Sequence, residues 1–154
     1  MNQIELRKIQ LIGLSLKGKT TNENDQSSID CGHLWQEFMS KGIAAQVRGK
    51  ITDEVLAAYH DYEGDHTQPY SFFIGCKVNP GSEVPEGLES LTIPSGSYEK
   101  IVTRGKFPDC IANTWREIWK SDTPSRAYQV DFEVYDERAA DWNNSEVDIF
   151  LSVK

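Results

Sequence analysis

One order of elements is written twice along this chain, and that duplication limits what it can fold into. Two amphipathic segments set the frame. Residues 30–42, DCGHLWQEFMSKG, place Cys31, Leu34, Trp35, Phe38 and Met39 on one helical face, and Gly42 supplies a stop. Residues 109–121, DCIANTWREIWKS, place Ile111, Ala112, Trp115, Ile118 and Trp119 at i, i+1, i+4, i+7 and i+8. Asp109 suits the N-terminus of this second helix. Trp35-Gln-Glu-Phe38 aligns with Trp115-Arg-Glu-Ile118, a period of about 80 residues and too long for a solenoid.

Strand patterns flank both helices. In the first half an apolar stretch at 9–16 leads through the polar TTNENDQSS, read as turn and loop, into the first helix. Strands at 55–62 (VLAAYHDY) and 70–78 (YSFFIGCKV) follow. In the second half, 88–105 is a strand region bent or bulged at Pro94 and Gly96. After its helix come strands at 128–135 (YQVDFEVY) and at the C-terminal end (EVDIFLSVK). The predicted fold is therefore α+β. A duplicated strand–helix–strand–strand module forms one antiparallel sheet with two helices packed on it, in a pseudo-twofold arrangement. Residues 1–154 read as a single domain, with half-modules at about 1–78 and 88–154 and a Pro/Gly-rich acidic connector at 79–87.

Within YQVDFEVY the alternation is strict. Val130, Phe132 and Val134 point one way; Asp131, Glu133 and Tyr135 point the other. The last strand alternates Val147, Ile149, Leu151 and Val153 against Asp148, Phe150 and Ser152. Pairing of the two strands would set Glu133, Tyr135 and Phe150 on a shared surface away from the main core. A carboxylate among rings on a half-sheltered face suits an organic cation. Asp131 and Asp148 are read as solvated. The seam between two fused halves is a common place for a ligand.

Composition narrows the function classes. The net charge is −8 and no basic stripe is present, which argues against a nucleic-acid partner. The start, MNQIELRK, has no apolar signal core, and no apolar run reaches membrane-spanning length, so a cytoplasmic location is expected. Cys31, Cys76 and Cys110 form no C-x-x-C pair, so neither a zinc site nor a disulfide framework is indicated. The HDYEGDH segment lacks a defined ligand spacing. No phosphate-binding loop, dinucleotide fingerprint or nucleophile elbow is present, and no metal or cofactor is expected.

Several segments together resemble the GyrI-like effector-binding domains, the drug-sensing modules of some bacterial transcription regulators. They are YHDYEGD followed by YSFFIGCKV, VPEGLESLTIPSGSY with Gly105 after it, TWREIW, DFEVYDER and EVDIFLSVK. They run in the family's order over most of the chain after about Val55; the first 50 residues match weakly. The chain looks most like the stand-alone members, including integron or mobile-cassette proteins, and no helix-turn-helix pattern is read in it. The resemblance implies that Glu133 faces a ligand cavity. It implies that Tyr98, at the end of IPSGSY, is a cavity ring, and that Trp115 and Trp119 stand at the cavity edge. Tyr135, Phe150, Tyr62 and Trp35 complete the expected ligand-binding set. Some relatives hydrolyse strained cyclopropane compounds with the same acid, others inhibit DNA gyrase, and stand-alone members bind cationic hydrophobic drugs. The expectation is a binding protein for hydrophobic organic cations rather than an enzyme. A hydrolase and a gyrase-type inhibitor are the alternatives, and a transcription regulator or gyrase is a possible protein partner.

Overall fold

A computed structural model describes residues 3–121 and 126–154. Its eight strands are β1 (Gln3–Leu6), β2 (Ile9–Ser15), β3 (Lys50–His60), β4 (Ser71–Val78), β5 (Glu89–Ile93), β6 (Gly96–Gly105), β7 (Val130–Tyr135) and β8 (Ser145–Ser152). They form one sheet in the order β1-β6-β8-β7-β3-β4-β2-β5, antiparallel at every pairing. Helices α1 (Gln26–Ser40) and α3 (Asp109–Lys120) are the two long ones; α2 (Ile43–Gln46) is a single turn after α1. The fold is α+β, as the doubled pattern predicts.

Exchanging β1–β4 for β5–β8 returns the same strand order read backwards. Each half lends its first strand to the other: β1 pairs with β6, and β5 pairs with β2. The centre of the exchange is the β3–β7 pair, where Ala57 stands opposite Glu133.

Both faces of the sheet are buried. On one face α1 covers β2 and β4 through Leu34 and Phe38, which pack with Ile12, Phe72 and Ile74. On the same face α3 places Ile111, Trp115 and Ile118 against Val147, Ile149 and Leu151. The helix-free face closes on itself. Its cluster joins Leu11, Phe73, Ile93, Phe132 and Phe150, and Ile4 and Leu6 of the opposite sheet edge pack against it. Only a curled sheet brings strands from both edges into one apolar cluster.

Three local expectations are corrected. The 88–105 segment is two strands, not one bent strand. Pro94 interrupts the ladder, and β5 and β6 pair at distant places in the sheet. The TTNENDQSS segment is not all loop, because α1 already begins at Gln26; the first turn of a helix tolerates polar residues, since its N–H groups have no helical partner. Asp131 and Asp148 are not solvated. Asp131 is 0% exposed, and the Arg138 guanidinium grips Asp148 through both nitrogens at 3.3 and 2.8 Å. Among the described residues, no helix is long and apolar enough to cross a membrane.

Candidate functional site

The helical stripes that pack α1 and α3 onto the sheet leave a gap between the two helices. The gap is an open cavity of about 850 Å³ with Glu133 in its wall. Strand alternation aims Glu133 toward the helices, and it is 1% exposed. Its Oε2 accepts hydrogen bonds from the Tyr59 hydroxyl at 2.8 Å and from Trp115 Nε1 at 2.5 Å. Its Oε1 accepts from the Tyr135 hydroxyl at 2.5 Å. Burial pushes the carboxyl above its ordinary range, and these three donors pull it part of the way back. Tyr59 and Tyr135 are pushed well above the usual phenol range, by burial first and by the neighbouring acid second, so both remain donors.

The rings around this acid follow the pseudo-twofold. Tyr59 on β3 and Tyr135 on β7 each lie two residues beyond the central Ala57–Glu133 pair. The Trp35 ring meets Tyr135 edge-on at 4.9 Å, and the Trp115 ring meets Tyr59 edge-on at 5.2 Å. The acid breaks the symmetry, because its counterpart is Ala57. One half therefore supplies, at the central pair of a nearly symmetric aromatic frame, a carboxylate where the other half has a methyl group.

A second buried acid lies beside it. Asp131 Oδ1 accepts from the Ser152 backbone N–H at 2.8 Å and the Ser152 hydroxyl at 3.1 Å. Its Oδ2 accepts from the Tyr62 hydroxyl at 2.7 Å and Arg126 Nη2 at 2.6 Å. Tyr62 and Arg126 also line the cavity. Trp119 lines it too and stacks on His66 at 5.7 Å, with their planes 2° apart. The mouth carries Met39 and Trp142, the latter 68% exposed.

Of the eight candidate residues, the structure brings six to this cavity: Glu133, Trp115, Trp119, Tyr135, Tyr62 and Trp35. Phe150 and Tyr98 lie on the other side of the sheet. Phe150 is in register with Phe132 and stacks on it at 4.8 Å, while Glu133 is in register with Ile149. Directly opposed residues share a face, so Phe150 cannot share one with Glu133. Tyr98 is 2% exposed, meets Phe132 edge-on at 5.6 Å and donates to the Pro94 carbonyl at 2.6 Å. Both belong to the helix-free core. The sequence reading missed Tyr59, Tyr70, Phe107 and Arg126 as lining residues. For Tyr59 a signal was present: AAYHDY laid over EVYDER puts it on Tyr135.

The sequence model of the integron-associated effector binding proteins matches residues 4–153. The chain belongs to this family. It is a small-molecule-binding protein of the effector-binding type, with a GyrI-like fold. An integron cassette protein from the mobile metagenome of Vibrio cholerae is 25% identical, with a TM-score of 0.73 over 99% of this chain and 95% of that one. A Bacillus subtilis (strain 168) protein, YobU, named as a candidate transcriptional regulator, is 28% identical over 123 residues, 79% of this chain and 75% of its own length. The structure of SAV2435 bound to tetraphenylphosphonium has a TM-score of 0.77 at 17% identity, covering 99% of this chain and 93% of that one; at that identity the likeness is one of fold.

Proposed function

We propose that this effector-binding protein takes hydrophobic, aromatic organic cations into the cavity between α1 and α3, with Glu133 as the charge that selects them. The observation that carries the proposal is a fully buried carboxylate held by two phenols and an indole in an aromatic wall. Rings alone supply apolar contact and about 0.5–2 kcal/mol of cation–π attraction. Such a wall accepts neutral aromatics nearly as well, so the carboxylate must set the class. At about 4 Å and an effective dielectric of about 20, it attracts a cation by roughly 4 kcal/mol before desolvation. Glu133 is already desolvated in the folded protein, so the remaining cost is the cation's own. A delocalised organic cation is weakly hydrated, and a net preference of about 1–3 kcal/mol is expected. That SAV2435, which shares the fold, is described with tetraphenylphosphonium bound supports a cation as the ligand class.

The test pairs N-methylacridinium with 9-methylanthracene, which have nearly the same shape and differ in charge. Tryptophan quenching titrations are run on wild type and on Glu133→Gln. The cation should lose about 10- to 100-fold in affinity in the variant, at 1.4 kcal/mol per decade, and the hydrocarbon should change little. Equal affinity of both proteins for the cation would remove Glu133 from the site and the proposal with it.

A further inference from the structure

The cavity has a second polar place, away from Glu133. The Arg126 side chain lines the cavity and is only 3% exposed. Its Nη2 donates to Asp131, its Nη1 donates to the Tyr128 hydroxyl at 3.3 Å, and its guanidinium lies 4.1 Å from the centre of the Tyr128 ring. Its Nε–H is buried and has no acceptor among the described residues. His66, which also lines the cavity, has a buried Nδ1 without a partner among the described residues. Buried polar atoms without partners are uncommon, and a bound group would satisfy them.

Asp131 does not offer a second cation site. Its four hydrogen bonds occupy both lone pairs of both oxygens, and Arg126 balances its charge. What remains is a neutral ion pair whose buried Nε–H has no acceptor among the described residues. That set matches a neutral hydrogen-bond acceptor better than a carboxylate, which would lie beside Asp131, and better than another cation. Asp131 and Glu133 stand on one face of β7 two residues apart, about 7 Å along the strand. We infer that Arg126, with His66 beside it, forms an acceptor-recognition subsite, so that the preferred ligand is an aromatic cation carrying a carbonyl-class oxygen about 7 Å or somewhat more from its charge. This rests on the cation reading of the cavity and adds a second requirement to it.

The test compares two phosphonium cations of equal bulk. One is tetraphenylphosphonium with a para-benzoyl substituent; the other has a para-benzyl group, a methylene in place of the carbonyl. Calorimetric titration of wild type should favour the ketone by about 10-fold, the scale of one well-made hydrogen bond. A double variant, Arg126→Met with Asp131→Asn, removes the donor and replaces the ion pair by neutral groups of similar size, so neither partner is left charged and unpaired. In it the ratio of the two affinities should fall to about 1, whatever change is common to both cations. Equal affinities of the two cations in wild type would overturn the subsite, as would a ketone advantage that survives in the folded double variant. The two proposals fail separately: tight binding of both cations without a ketone preference removes only the subsite, whereas binding of the benzyl compound that ignores Glu133→Gln removes the cation reading.

Discussion

Glu133 costs the unliganded protein stability, and that cost has a pH signature. Burial raises its carboxyl above the ordinary range despite three donors. The folded state therefore holds the proton more tightly than the unfolded chain does. Stability falls as pH rises from the ordinary carboxylate range through the raised folded value, and it stays lower above that value. Glu133→Gln removes the slope, and its amide can still accept from Tyr59 and Trp115. In mildly alkaline buffer the unliganded variant should melt above wild type, and the gap should close as pH falls toward the ordinary carboxylate range. Melting curves that run parallel at every pH would show that Glu133 titrates normally. Glu133 itself was legible because strict alternation singles out an acid between Phe132 and Val134. Its neighbours were less so. Phe150 shows the same alternation, but its face depends on strand register, which periodicity does not supply, and Tyr98 was expected in the cavity from the family resemblance alone. Asp131 read as solvated because nothing local in the sequence announces that Arg126, Tyr62 and Ser152 converge on it.

At the scale of elements, the amphipathic helices and central strands were legible from their periods, and the edges were not. β1 is four residues long and half-polar, QIEL, so its pattern carries little signal. The split between β5 and β6 depends on partners that lie far away in sequence. The β2–β4 contact was also silent. Gly13 stands opposite Gly75, and a Cβ at Gly13 would come within 1.9 Å of the Ile74 carbonyl oxygen. That oxygen is backbone and cannot turn aside, so the strands themselves would have to part. Gly13→Ala should destabilise the protein by about 2 kcal/mol or more, toward the upper end of what overpacking costs. Urea unfolding would measure it, and an unchanged midpoint would show that the two strands do not approach this closely.

The whole molecule carries a net charge of −8, and part of that charge surrounds the cavity. Asp25, Asp53, Asp109 and Asp136 line it, and the basic residues there are Arg116 and the paired Arg126. This field draws cations toward the mouth. Association of N-methylacridinium should slow several-fold as ionic strength rises from about 0.01 to about 1 M, where the screening length shrinks from about 30 to about 3 Å. The rate for 9-methylanthracene should hardly change, and equal salt effects on the two would argue against steering. The pseudo-twofold supplies the aromatic frame from both halves, while one half alone supplies the central acid. Selection by charge therefore depends on the ionisation of that one group. The most direct measurement is cation affinity as a function of pH, on wild type and on Glu133→Gln. Below the raised value of Glu133, the cation competes with the proton, so wild-type affinity should fall by up to about 10-fold per pH unit until it meets that of the Gln variant, and above that value it should level off. The Gln variant should be weak and flat across the same range. A flat wild-type profile, or the same slope in both proteins, would contradict the claim that Glu133 is the charge that selects the ligand.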